Sequence, residues 1–556
     1  VTSKKTIHEQ SFGRRSMIKV GAGAAAALAI PSVAHGQDAS PSASPGASPA
    51  AAAEGYYPSP APGVFPAYTK MPAIFKSTDG VPGAGGEVKT MIMIYGAPVE
   101  GKEGNQYWAG LEERLGVTWT PIQVPNASYG EKAAALLASG DMPDLFYLNF
   151  NQTLTPLQKF VVEGAFVDLT EYLTGDNLKK YPNLAAYPAY TWEATKTNVK
   201  IYGVPCPGGQ SGQIPAFRQD WADKLSGGTP TNADEFHELL VAMAKNDPDG
   251  NGQEDTWGLA RYESNWDMGI FYPMFRVPNG WRFEDDGSFT NRIETEEFKL
   301  ALEFMARVFK DGGFHPDSAA MQYEEAVNLF RTGRTGVHAD GSAIHGKGGF
   351  LEDIRKYQAD ANVTRLLPFG HDGGEGVTYN LPGIFGFTAI PIQHEGNDEK
   401  IDELFRILNW LAAPFGSEEW LYKNYGLEGT HFEYNDFGFP ERNELGNTEE
   451  GALTAYIAGS PGVHVNPTEP ELARIFQEEQ ELILSIGIDN PAANLFSETA
   501  IKESGTLGQL VADTIASVVQ GREGIEAVDT LVSDWKSRGG DTIRQEYEEA
   551  YAASQG

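Results

Sequence analysis

Residues Asp247 to Asp255 read DPDGNGQED, an alternation of oxygen-bearing side chains with glycine. Asp247, Asp249, Asn251 and Asp255 fall at positions 1, 3, 5 and 9 of a loop whose sixth residue is Gly252. The backbone carbonyl of Gln253 would be the position-7 ligand. This is the pattern of an EF-hand-type calcium loop, because Ca2+ is a hard cation that takes six or more oxygens, which alternate loop residues can turn to one centre. Position 12 is Gly258, where such loops carry a bidentate Glu. A metal held here clips a loop and is structural, with no position open for a substrate. The competing reading is a solvated turn rich in Asp and Asn.

The second kind of chemistry is stacking. The chain holds 10 Trp, 23 Tyr and 29 Phe, and several stand beside polar residues outside any apolar stripe. Examples are Asn105-Gln-Tyr107-Trp108, Arg261-Tyr262-Glu-Ser-Asn265-Trp266-Asp267 and Asn279-Gly-Trp281-Arg282. Ring faces next to planar polar groups suit a sugar, whose C–H faces stack while its hydroxyls hydrogen-bond. For any single ring the competing reading is ordinary core packing. Arg218, in Phe217-Arg218-Gln219-Asp220-Trp221, could clamp a ligand carboxylate or hydroxyl pair, or else join an interdomain salt bridge. The expected ligand contacts are Trp266, Trp281, Tyr262, Trp108, Arg218 and Asp340, chosen from local composition.

Catalytic motifs are missing: there is no His-Glu-x-x-His, no Gly-x-Ser-x-Gly and no phosphate-cradling loop. A glycosidase carboxylate pair stays open, since 76 acidic residues leave many pairings and separation in space is not readable from sequence. The net charge of −34 argues against nucleic acid and against docking on anionic lipid. The single cysteine, Cys206, lies between prolines and reads as a small buried hydrophobe; one cysteine allows neither an intramolecular disulfide nor a multi-Cys metal site.

The elements that must position these groups divide the 556 residues into more than one core. Residues 1–36 carry Arg14-Arg15-Ser16-Met17-Ile18-Lys19 before a mild apolar run, then Ala34-His35-Gly36, as in a cleavable twin-arginine signal. No cysteine follows it until Cys206, so a lipid anchor on an N-terminal cysteine is not expected. Residues 37–70 are a Pro/Ser/Ala-rich tract read as an extended tether. Folded sequence is expected from near Lys89: strand Lys89–Tyr95, helix Tyr107–Leu115, strand Val117–Val124, helix Glu131–Ser139 and strand Pro143–Leu148. That alternation predicts a mainly parallel sheet covered on both faces. Thr231 to Asp234 reads as a capping box before a stripe of Phe236, Leu239, Leu240 and Met243, and Lys200 to Pro207 as a strand ending at a hinge.

In this order, the pieces resemble the extracellular solute-binding proteins of ABC importers, family 1, in the aldouronate/alginate- and lipoprotein-LipO-like branch. The matching residues are Leu137-Ala-Ser-Gly140-Asp141-Met-Pro143-Asp144-Leu145, Ile201-Tyr202-Gly203-Val-Pro205 and Arg218-Gln-Asp220-Trp221-Ala-Asp223-Lys224-Leu225. They continue with Pro230-Thr231-Asn-Ala-Asp234-Glu235-Phe236, the loop at 247–255 with Thr256-Trp257-Gly258-Leu259, Phe330-Arg-Thr-Gly333-Arg-Thr-Gly336, Tyr425-Gly426-Leu-Glu428-Gly429, Trp535 and Glu546-Tyr547. The resemblance implies a two-lobe α/β periplasmic-binding-protein fold of type II, with a hinge between lobes and ligand in the cleft. Lobe 1 is expected over 71–206 with a return segment at about 366–420, and lobe 2 over 207–365 with the C-terminal segment at about 421–556. It further implies a monomeric, non-enzymatic carrier, periplasmic or extracellular, that passes an oligosaccharide or related polar solute to the transmembrane subunits of an ABC permease. The alternatives are a secreted, calcium-stabilised glycoside hydrolase or polysaccharide lyase, and a surface lectin.

Overall fold

The computed structural model describes residues 54–554 apart from 100, 150–159, 198, 213, 263–268, 342–343, 346–348, 451 and 494. Residues 1–36, expected to be a signal, the start of the expected tether and the expected ligand contact Trp266 lie outside the described residues.

Two sheets carry the architecture. The first starts with β1 (Glu87–Ile94), followed by α1 (Gln106–Leu115), β2 (Thr118–Pro125), α2 (Tyr129–Ser139) and β3 (Leu145–Asn149), close to the expected boundaries. β1 is buried along its second half and pairs in parallel with both β2 and β3. A strand enclosed on both faces has no solvent side to alternate with, which is why Met91-Ile-Met-Ile94 reads as a continuous apolar run. β4 (Val204–Pro207) lies at the far edge. The chain then crosses over and lays down β5 (Ala216–Arg218), α3 (Ala233–Lys245), β6 (Trp257–Leu259), α4 (Glu296–Lys310), β7 (Thr335–His338) and β8 (Val363–Arg365). It crosses back to enter the first sheet as β9 (Ile384–Ala389), giving the orders β2-β1-β3-β9-β4 and β6-β7-β5-β8.

The first sheet is therefore mixed where a mainly parallel one was expected. β9 runs antiparallel to both neighbours, β3 and β4. The reason is topological: β3 and β4 end at the interlobe cavity, whereas β9 arrives from the other lobe, starts at that cavity and runs away from it.

Each sheet has its own core. The first gathers residues from Val88 to Cys206, then Ile384 to Ala412, and also Tyr422, Leu453, Ile457 and Ala458. The second gathers Phe217 to Ala339 with Ala492 to Ile543. Residues 421–458, expected with the C-terminal segment of lobe 2, thus pack with lobe 1; only after a third crossing does the chain rejoin lobe 2. α5 (Leu472–Ser485) runs along that crossing, packed on Ala67–Tyr68 and His464–Val465, and α6 (Glu498–Val519) and α7 (Asp541–Ser554) complete lobe 2. Among the described residues no helix is long and apolar enough to span a membrane.

Helix α3 shows how local signals and packing combine. Its N-cap is Asn232, whose side chain accepts from Glu235 N, while Glu235 reaches back to Thr231; the cap sits one residue later than the sequence pattern suggests. Phe236, Leu239, Leu240 and Met243 are buried as the spacing requires, each contributing about 1.5–3 kcal/mol. Met243 also accounts for a glycine: a Cβ on Gly336 would lie 2.1 Å from its sulfur, so β7 and α3 approach only because that residue has none.

Tyr56 onward departs most from expectation. The tract read as a tether through residue 70 is folded from residue 54: Tyr56–Tyr57 pairs antiparallel with Ala67–Tyr68, which pairs in parallel with His464–Val465. Tyr68 packs on Phe415 with ring centroids 4.8 Å apart, and Tyr56 on Tyr68 at 5.0 Å. Aromatic residues interspersed among the prolines give this stretch apolar surface to bury, which Pro/Ser/Ala composition alone does not reveal.

Candidate ligand-binding cleft

A cavity of about 1910 Å³ lies where the strands of both sheets end. Tyr95 follows β1, Asn149 ends β3, Gly208 follows β4, Asp340 follows β7 and Arg365 ends β8; all line it. Ligand crevices in α/β sheets form outside the carboxyl ends of strands, where loops diverge and backbone groups remain free to bind. The volume exceeds the roughly 300–1,000 Å³ of pockets for drug-sized ligands, enough for a chain of several sugar units.

The lobe 1 wall is aromatic and open. Tyr95 is 58% exposed and Phe385 57%, far more than packed rings of that size. Both approach Tyr456 edge-on at 6.2 Å between centroids, and Tyr456 stacks on buried Tyr147 at 5.7 Å. Phe385 points outward because β9 carries a register irregularity between Ile384 and Gly386, and a bulge re-aims the intervening side chain. Tyr456 adopts φ 62, a left-handed conformation that costs a non-glycine residue on the order of 1 kcal/mol and persists where surrounding structure enforces it. Beneath that segment sits a buried charged group. The Lys423 ammonium donates to the carbonyls of Leu411 (2.6 Å) and Ala458 (3.1 Å), and burial lowers its pKa to about 8. Burial also raises the Glu450 carboxyl to about 7, despite Arg442 at 2.6 Å.

The lobe 2 wall sets Arg261, Arg292, Tyr323 and Asp340 among apolar lining residues such as Ile270, Met274, Leu507 and Val511. Tyr262 and Trp281 border the cavity too, but Tyr262 is 1% exposed and Trp281 8%, so each presents little more than an edge. Trp281 packs against Trp535 at 5.8 Å and Tyr547 at 5.5 Å, and the Tyr262 hydroxyl accepts from Gln520 at 3.2 Å. On the hinge side, Arg365 is ion-paired with Glu479, lies 4.1 Å over the Phe476 ring and donates to Gly341 O at 3.1 Å.

Two expected contacts do not reach the cavity. Trp108 is in the lobe 1 core, its indole donating to Trp119 O at 3.1 Å while its backbone N–H takes the Asn105 cap at 2.7 Å. Arg218 is fully buried; it grips Asp220 through two bonds of 2.9 and 2.6 Å, also bonds Gln358, and lies 4.2 Å over the Trp221 ring. Its partner is two residues away within lobe 2, so it is neither a ligand clamp nor an interdomain bridge. The sequence reading missed Tyr95, Phe385 and Tyr456. A hint existed in the first two, aromatic residues directly before glycines at the ends of apolar strands; nothing local marks Tyr456.

The loop at 247–255 exposes residues 250–254, keeps Asp247, Asp249 and Asp255 half-buried, and is folded on itself. Asp247 accepts from the amides of Asn251 and Gly252, both at 3.0 Å. The Asn251 amide donates to Asp249 at 2.9 Å and Asp255 at 3.1 Å, and Gln253 N donates to Asn251 Oδ1 at 2.7 Å. Arg334 pairs with Asp255 at 3.0 Å. Burial, followed by the neighbouring Asp247 carboxyl, raises the pKa of Asp249. An all-oxygen set whose carboxylates crowd one another fits a hard cation in its chemistry. As folded, however, no group of three or more His, Cys, Asp or Glu side chains is gathered to hold a metal among the described residues.

Two α/β lobes, three crossings and a cleft at the strand ends define a type II solute-binding protein. The family model for bacterial extracellular solute-binding proteins matches residues 97–392, more than half of the chain, and the chain belongs to that family. Among curated proteins it is similar to the polygalacturonan/rhamnogalacturonan-binding protein YtcQ of Bacillus subtilis, 26% identical over 496 residues, covering 85% of this chain and 93% of the relative. Among solved structures it resembles the alginate-binding protein AlgQ2 without calcium ion, with a TM-score of 0.63 and 15% identity over 86% of this chain and 100% of the other. It also resembles the ABC-transporter substrate-binding protein FusA of S. pneumoniae in complex with kestose, with a TM-score of 0.59 and 16% identity over 84% and 99% of the two chains.

Proposed function

We propose that this protein is the capture subunit of an ABC importer, binding an oligosaccharide between its lobes and handing it uncut to a membrane permease. The observation that carries the reading is the pair of open rings, Tyr95 and Phe385, in a cavity whose other wall includes Arg261, Arg292 and Asp340 and whose volume is enough for several sugars. Stacking and hydroxyl contacts made only when both walls engage favour the closed state, and no bond is broken. The chain acts as a monomer, exported by the twin-arginine route on the strength of Arg14-Arg15 and the apolar run behind them.

The test is thermal melting with trigalacturonate, an alginate trisaccharide and kestose, followed by mass spectrometry of the sugar. A glycan at about 100 times its dissociation constant adds roughly 2.7 kcal/mol to stability, which raises the melting temperature. A shift with intact sugar is expected. Cleaved sugar would replace the carrier with the hydrolase or lyase.

The loop at 247–255 is proposed to hold structural calcium through Asp247, Asp249, Asn251 and Asp255 with the Gln253 carbonyl. The ion would supply positive charge to a crowded acidic turn and tie it to α3, while Arg334 holds the other end through Asp255. Calcium chloride should raise the melting temperature by a few degrees relative to EDTA, and Asp249→Asn should abolish the response. Equal melting in calcium and EDTA would remove the ion from this loop.

A further inference from the structure

The segment from Gly55 to Tyr68 is held far more firmly than a tether requires. The Gln477 side chain, 8% exposed on α5, donates to the carbonyls of Tyr57 (3.4 Å), Pro58 (3.1 Å) and Phe65 (2.8 Å). Gln480, one turn on and 5% exposed, accepts from Phe65 N at 2.7 Å. The same oxygen meets His464 Nε2 at 2.8 Å, and an amide oxygen can only accept, so that nitrogen carries the proton. Gln480 also reaches Ser211, in the first crossing, at 3.5 Å. Two buried amides are thus committed to one short stretch of chain, whose ordering costs about 1–2 kcal/mol per residue in backbone entropy.

That stretch brings Phe65 to the cavity. Its ring lines the hinge side beside Ser211, His464 and Gln480, and is 5.7 Å from the His464 ring. It lies flat enough on Gly462 that a Cβ there would come within 2.3 Å of the ring, so the glycine is the seat on which the aromatic rests. The ring is half-buried, with the cavity beside it.

We propose that Gly55–Tyr68 is the hinge-side wall of the binding cleft and that Phe65 is a ligand-contacting residue, offering its ring to the C–H face of a saccharide. The second part rests on the glycan-carrier reading. Because the wall is hydrogen-bonded through Gln480 and paired with His464–Val465, it belongs to the crossing segments themselves.

The experiment has two arms on the full chain. Without ligand, amide hydrogen exchange at Phe65, Ala67 and Thr69 should be at least a hundredfold slower than in an unstructured chain; unprotected amides there overturn the wall. With trigalacturonate, the alginate trisaccharide and kestose, Phe65→Ala should weaken whichever binds the unaltered chain by tenfold or more. Gln477→Leu touches the segment but not the cavity, and should both speed exchange at Phe65 and reproduce the loss of affinity. Unchanged affinity in both variants overturns the contact. If the unaltered chain binds none of the three sugars, the carrier reading loses its support, and exchange protection alone decides whether the segment is a wall.

Discussion

Tyr95→Ala combined with Phe385→Ala should weaken glycan binding about a hundredfold while moving the melting temperature by no more than about 2 °C. Both rings are more than half exposed, so truncation forfeits little folded-state packing. What it removes is stacking surface that becomes buried only against ligand, about 1–1.5 kcal/mol per ring, and each 1.4 kcal/mol is tenfold in affinity. The two rings share Tyr456 as a neighbour, so the double variant can depart from the sum of the singles by a few tenths of a kcal/mol. Titration calorimetry of the singles and the double, alongside melting curves, separates binding from folding. Full affinity in the double variant would place the ligand elsewhere.

Arg218→Ala should act in the opposite sense, costing about 3 kcal/mol of stability and leaving the dissociation constant of the folded protein unchanged. The guanidinium is wholly buried, while Asp220 is 24% exposed. Removing the arginine therefore strands a carboxylate that water reaches only in part, together with the Gln358 amide, and the effect belongs at the low end of the range for broken buried pairs. It also empties the space over Trp221 that the arginine fills. Denaturant melts at constant m-value measure the stability loss. A large loss of affinity with stability preserved would return Arg218 to the ligand.

These two predictions divide along what could and could not be read from the chain. β1-α1-β2-α2-β3 was legible because each element's signal is local: an apolar run for a strand enclosed on both faces, a 3.6-residue stripe and a terminal glycine for a helix. The crossing after Pro207 was legible for the same reason, as was Cys206, which is buried and whose thiol is pushed up to about 12. Arg218 was misread because one partner, Gln358, lies 140 residues away, and adjacency to Asp220 did not reveal burial. Trp108 looked like a cleft residue beside Asn105 and Gln106, but that polarity serves a helix cap, and the ring points into the core.

Family membership, a two-lobe α/β architecture and a net charge of −34 were thus set by the order of motifs and by composition, which need no knowledge of contacts. The cleft wall was not. Tyr95, Phe385 and Tyr456 come from three separate stretches and meet only when β9 threads between β3 and β4 and a bulge turns Phe385 outward. Residues 54–70 look like a tether until Gln477 and Gln480, more than 400 residues later, take up their backbone groups. A residue's own neighbours decide whether it forms a helix, a strand or a turn. Whether its ring ends in the core or in a ligand's path is decided by surfaces that fold against it from elsewhere in the chain.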